Sequence, residues 1–140
     1  MSFTNSDFLL GVLQELAVLG EGDTAPSAAQ GPSALKRLNN MMFEWDGLGI
    51  PLEYSAQTNL TDDCPLDESI RQTVAANLAV RLAPMYGKTV SPVTAALATT
   101  GFDRLARDAA LAAQATQKMD NLPRDSARLN WRGSRILTDG

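Results

Sequence analysis

The chain has 140 residues, of which 44% are hydrophobic and 20% charged, the composition of one globular domain and not of a disordered or collagen-like chain. With no histidine and a single cysteine, Cys64, it holds no Ser-His-Asp triad, no Cys-His pair, no His-based zinc site and no intrachain disulfide. Its net charge of −4 averages two unlike halves: residues 1–70 carry 11 acids and 2 bases, residues 71–140 carry 5 acids and 10 bases, giving −9 and +5. A subunit polarised in this way suits contact with neighbours or a partner of opposite sign. The free cysteine fits a reducing compartment, no basic segment precedes an apolar run as in a secretory signal, and no apolar stretch approaches the roughly 18 residues of a membrane helix.

The first element is a helix from about Ser6 to Leu19. Phe8, Leu9, Val12, Leu13, Leu16 and Leu19 recur at three- and four-residue spacing, Ser6 serves as N-cap, Asp7 suits the positive helix end, and Gly20 and Gly22 stop the run. Residues 20–32 form a loop with breakers at both ends. A second helix begins near Pro32 or Ser33, with Leu35, Leu38, Met42 and Trp45 on one face, Lys36, Arg37, Asn39, Asn40 and Glu44 off it, and Gly47 and Gly49 ending it. Residues 50–62 read as a short hairpin or an irregular arm, Pro51 arguing against a central strand.

Residues 61–69 are rich in N-cap and first-turn chemistry, and a third helix follows, marked by Leu66, Ile70, Val74, Asn77 or Leu78, and Leu82. Pro84 ends or kinks it and Gly87 closes it. Ser91-Pro92 then starts a fourth helix running to about Lys118, alanine-rich, with Val93, Leu97, Thr100 or Gly101, Leu105, Ala109 and Ala112 or Ala113 on one face. Its small residues allow close helix approach, and Gly101, which costs roughly 1 kcal/mol against Ala in a helix interior, marks a kink or a close backbone contact. Together the stripes make Leu13, Leu16, Leu38, Met42, Trp45, Val74, Leu78, Leu82, Leu97 and Leu105 the candidate core. The expected fold is all-α: a bundle of about four helices, a short extended segment or hairpin near 50–62, and an extended C-terminal arm.

The arm, residues 119–140, differs in kind. Pro123 breaks the helical pattern, and Arg124, Arg128, Arg132 and Arg135 interleave with Leu122, Leu129, Trp131, Ile136 and Leu137 without burying one face. A disordered tail is poorer in Trp, Leu and Ile, and Arg and Trp are favoured interface anchors, so this segment reads as one that docks, on its own subunit or on another. The division expected is a helical domain over 1–118 and a docking arm over 119–140.

Little suggests chemistry. Asp62 and Asp63 with Asp67 and Glu68 lack the glycine and spacing of a calcium loop and read as an acidic helix start. Gly20-Glu21-Gly22 is acidic and lacks the strand and helix around a phosphate loop. Glu44, beside Trp45, is the one acid to test for a hydrolase role. The protein is therefore expected not to be an enzyme, and to need no cofactor or metal. Arg71, Arg81, Arg104 and Arg107 are the candidate subunit-interface cations, with surface ion pairing as the alternative for Arg71 and Arg81.

Two stretches carry a resemblance: Ala34-Leu35-Lys36-Arg37-Leu38-Asn39-Asn40-Met41-Met42-Phe43-Glu44-Trp45-Asp46-Gly47-Leu48-Gly49-Ile50, and Ala75-Ala76-Asn77-Leu78-Ala79-Val80-Arg81-Leu82-Ala83-Pro84-Met85-Tyr86-Gly87. With the order of elements across roughly residues 5–118, they resemble the packaged-DNA stabilisation proteins of tailed phages, also called head-completion, head-to-tail adaptor or tail accessory proteins. The resemblance implies a structural connector, made in the host cytoplasm and built into the virion at the head–tail junction. Such proteins bind the portal ring as a homo-oligomeric ring, usually a dodecamer. They extend the DNA channel, retain packaged DNA and offer a platform to a downstream tail or nozzle protein. It further implies that the arm docks on the portal, with Leu129, Trp131, Ile136 and Leu137 as apolar anchors and Arg128, Arg132 and Arg135 as polar ones. DNA would pass through without specific binding, as an acidic protein suits, and no membrane is involved. The alternative from the residues alone is a helical DNA-binding or regulatory protein, on account of the basic second half.

Overall fold

The computed structural model describes residues 2–120, and side chains through residue 117. Among the described residues four α-helices make up the fold: α1 (Asn5–Glu15), α2 (Gln30–Gly47), α3 (Glu68–Leu82) and α4 (Pro92–Asp120), with a 3-10 turn at Pro84–Tyr86 after α3. No strand occurs among the described residues, and the fold is an all-helical bundle. The chain divides into two compact units, residues 1–109 and 110–140, the division falling inside α4 and ahead of the boundary expected at 118. In the second unit α4 continues to Asp120, its residues 110–117 exposed. All packing below is that of the first unit.

Local chemistry sets the helix ends, not always where the sequence pattern placed them. α1 has its N-cap at Thr4, two residues ahead of Ser6, because Thr4 and Asp7 form a capping box: the Asp7 N–H donates to Thr4 Oγ1 (3.2 Å) and the Thr4 N–H to Asp7 Oδ2 (3.0 Å). It ends at Glu15, well before Gly20. The Ala17 N–H donates to the Gln14 carbonyl and the Val18 N–H to the Leu13 carbonyl, with Ala17 in the left-handed region at φ 58°. This is the closure that glycine usually provides, here with a Cβ present. α2 also starts early, at Gln30, because Ser27 and Gln30 cap each other reciprocally, Gln30 N–H to Ser27 Oγ and Ser27 N–H to Gln30 Oε1. It closes with the same motif as α1, now with Gly49 at φ 90°, the Gly49 N–H on the Asp46 carbonyl and the Ile50 N–H on that of Trp45. α3 stops at Leu82 ahead of Pro84, and Gly87 at φ 66° lets the Lys88 N–H return to the Ala83 carbonyl. Ser91 caps α4 by accepting from the Thr94 N–H (3.1 Å).

The core joins Leu9, Leu13 and Leu16 from α1 and its end, Leu38, Met41, Met42 and Trp45 from α2, Val74, Leu78 and Leu82 from α3, and Leu105 from α4. Trp45 meets Phe102 edge-on, ring centroids 5.1 Å apart, a favoured aromatic geometry that ties α2 to α4. One residue read as core is not: Leu97 is 41% exposed and its neighbour Val93 69%. The buried face of α4 is instead Thr94, Ala98 and Leu105, with Gly101 and Phe102 partly covered. The reason is close approach. A Cβ on Gly101 would lie 2.5 Å from Thr73 Oγ1 and 3.0 Å from Thr73 Cβ, and the Asn77 amide of α3 donates to the Ala98 carbonyl (3.1 Å). α4 presses its small-residue face onto α3, which turns its larger aliphatic residues outward.

Candidate functional site

Residues 50–62, expected as a hairpin or an irregular arm, are the irregular form, a strap across α1 and α2. An antiparallel bridge, Thr4 to Asp63, ties it to the start of α1. Backbone bonds from the Asn5 N–H to the Asp62 carbonyl, Ser6 N–H to Leu60 and Cys64 N–H to Phe3 continue the contact. Two asparagines replace the ladder of a sheet. The Asn39 amide donates to the Gln57 carbonyl (2.8 Å), and its oxygen accepts from the Gln57 N–H (3.0 Å) and the Tyr54 hydroxyl. Asn5, fully buried, donates through Nδ2 to Gln57 Oε1 (3.0 Å) and to the Asn59 carbonyl (2.9 Å). Burial, then the nearby Cys64, raises the Tyr54 phenol well above its ordinary value, so it stays a hydrogen-bond donor. Burial likewise raises the Cys64 thiol, against opposing effects from the Leu66 backbone and Arg71. None of the strap residues stood out from periodicity, because a side-chain amide bonding distant backbone has no sequence period.

Between α3 and α4 runs an open cleft of about 520 Å³, lined by Ser69, Gln72 and Thr73 of α3 and by Leu97, Thr100, Gly101, Asp103, Arg104 and Arg107 of α4. A smaller cavity of about 80 Å³ shares Gln72 and Leu97 with it and reaches α1 at Gly11, Val12 and Glu15. Glu15 there accepts from Thr94 Oγ1 (2.6 Å).

The four candidate interface cations take different positions. Arg81 is in a salt bridge with Glu44, linking α3 to α2. Arg71 donates through Nε to the Leu66 carbonyl (3.1 Å), and its guanidinium lies 4.4 Å from the Phe3 ring centroid, a cation–π contact. Both therefore hold parts of their own subunit together. Arg104 and Arg107 stand exposed on α4, with no carboxylate within 4.0 Å among the described residues. Asp67, at the start of α3, has its carboxyl below the usual range chiefly through the Ser69 hydroxyl. The polarity of the sequence is thus partly folded away: Arg81 of the basic half meets Glu44 of the acidic half in one subunit. Glu44, singled out for a hydrolase role, is this exposed structural partner. The proposed arm residues Arg128, Leu129, Trp131, Arg132, Arg135, Ile136 and Leu137 lie outside the described residues.

These features define a class: a small helical building block in which Asn5, Asn39, Glu44, Arg71 and Arg81 tie elements of one subunit together. The family is identified directly. Residues 2–128 match the model of the P22 tail accessory factor family, and the chain belongs to that family. It is accordingly a phage structural protein and a component of the virion that contacts other virion components. No curated protein matches it. Among the described residues no helix is long and apolar enough to cross a membrane.

Proposed function

We propose that the protein is the head-to-tail adaptor of a tailed phage. Copies bind the portal as a ring, a dodecamer by the family resemblance. The ring extends the DNA channel, retains the packaged genome and presents a platform to a downstream tail or nozzle protein at the head–tail junction. The observation that carries this reading is the family match over residues 2–128. The fold adds support: Asn5 of α1 and Asn39 of α2 tie those helices to the strap and the Glu44–Arg81 pair ties α2 to α3, polar links that suit a structural subunit. Its role is architectural and not catalytic; Glu44, the acid nominated for hydrolysis, is held by Arg81 on an exposed surface.

Portal attachment falls to the arm, residues 119–140. Deleting it is expected to abolish co-sedimentation with the portal ring of the same phage while leaving the helical circular-dichroism signal of residues 1–118; undiminished co-sedimentation refutes the arm's role. DNA is a passenger in this reading. The basic second half motivates the competing one, DNA binding, but Arg71 and Arg81 are engaged inside the subunit. Binding isotherms at two salt concentrations separate the two: salt-dependent binding at micromolar protein favours a DNA-binding protein, and its absence favours the adaptor.

A further inference from the structure

The strap and the helices beneath it are held by different kinds of contact. The helices share a core in which Leu9, Leu13, Leu38, Met41, Leu78 and Leu82 are fully shielded from solvent. In the strap, no residue from 51 to 63 is buried; its apolar share, Leu52, Tyr54 and Leu60, lies half-buried at the edge of that core. Between residues 51 and 59 no backbone-to-backbone bond occurs among the described residues. Attachment there falls to Asn39, which holds Tyr54 and Gln57, and to Asn5, which holds Gln57 and Asn59. Beyond them the bridge to the start of α1 binds Leu60 and Asp62 to Ser6 and Asn5, and the Cys64 N–H to the Phe3 carbonyl.

Two features oppose the closed arrangement. Glu53 stands in the left-handed region at φ 55°, unfavourable for a residue with a Cβ, and the buried Asn5 Oδ1 has no hydrogen-bond partner among the described residues. Lifting the strap therefore exposes little apolar surface, relaxes Glu53 and gives Asn5 Oδ1 to water, while water replaces the polar bonds that are lost. Segments with few buried apolar contacts open at lower free energy than the core they lie on. Cys64 sits where the strap ends, 8% exposed, its N–H on Phe3 and its thiol near Tyr54.

We propose that residues 50–62, with their bridge to residues 3–6, form a latch that opens as one unit while the helical core stays folded, and that its opening uncovers the Cys64 thiol. The subunit thus has two folded forms, strap closed and strap open. The latch is a property of the single chain and does not rest on the adaptor reading.

The test follows labelling of Cys64, the one cysteine of the chain, in the full-length protein with an aromatic disulfide reagent whose released thiolate is read by absorbance. Leu105→Ala weakens the core from α4, whereas the strap bonds named above are to α1 and α2. It is expected to lower the urea midpoint yet leave the labelling rate without urea within about twofold of the parent, because the closed and open forms lose the same core contact. Asn39→Ala weakens the closed form alone and is expected to speed labelling about tenfold or more. In the unaltered chain the rate should rise at low urea with a slope well below that of equilibrium unfolding, a readout that needs no variant to fold. Labelling of Leu105→Ala about thirtyfold or more faster than the parent, as passage through global unfolding requires, overturns the latch. So does an unchanged rate in Asn39→Ala, a urea slope equal to the equilibrium one throughout, or a native rate equal to that in denaturant.

Discussion

Replacing Gly101 by alanine sets two effects against each other, and the structure decides the sign. Helix propensity alone favours the change by about 1 kcal/mol. The new Cβ, however, would lie 2.5 Å from Thr73 Oγ1, 2.7 Å from Cγ2 and 3.0 Å from Cβ. Rotating Thr73 about χ1 exchanges the first two contacts but leaves the third, which is fixed to the α3 backbone, so relief requires the helices to separate. Overpacking of this kind costs about 1–3 kcal/mol, and separation also loosens Leu105 and the Asn77 bond to Ala98. The net expectation is a loss of about 1–2 kcal/mol in urea unfolding, with the midpoint lowered and the slope unchanged. Thr73→Ala removes the two nearest atoms, so the double variant should be more stable than the sum of the singles predicts, by about 1 kcal/mol. A Gly101→Ala protein as stable as the parent would refute the close-approach account of α4, and with it the reason Leu97 faces outward.

Ala17→Gly relieves a left-handed alanine at the end of α1 and should raise stability by about 1 kcal/mol, read as a higher urea midpoint. Asn39→Leu strands the Gln57 backbone and the Tyr54 hydroxyl and should cost about 2–3 kcal/mol, with hydrogen exchange of residues 54–62 rising before that of α3. Ser69→Ala should return the Asp67 carboxyl towards its ordinary value in an NMR titration. Because the folded value is depressed, the stabilisation that Ser69 confers is present above the ordinary value of 3.8 and is lost as pH falls through the folded one. Cys64 should react slowly with a thiol reagent at neutral pH in the native protein and quickly in denaturant, since burial disfavours its thiolate.

What could be read from the sequence, and what could not, divides along the range of the interactions. The four helices, the proline stop at Pro84 and the Ser91-Pro92 start follow from local periodicity and capping, and they stand in the structure. The misplaced ends of α1 and α2 were also local, but their signals were outweighed. Thr4 and Asp7 competed with a plausible Ser6, and the Ser27–Gln30 box was masked by the breakers Gly31 and Pro32. Ala17 in a left-handed conformation has no local sign, since an alanine there lacks the freedom of the glycine that usually marks such a helix end. The face of α4 misled because large aliphatic residues dominate a periodicity count, whereas close helix approach selects small ones. Of the four candidate subunit-interface cations, Arg104 and Arg107 stand exposed on α4. That Arg71 and Arg81 are instead used inside the subunit depends on Phe3, Leu66 and Glu44, partners that no spacing rule connects to them.

The central claim is that this chain is a portal-binding adaptor, and sedimentation of the full-length protein with the purified portal ring of its own phage tests it most directly. The account predicts that the chain, slow-sedimenting on its own, moves with the portal fraction at saturating stoichiometry. A chain that remains at the top of the gradient at micromolar concentration contradicts it.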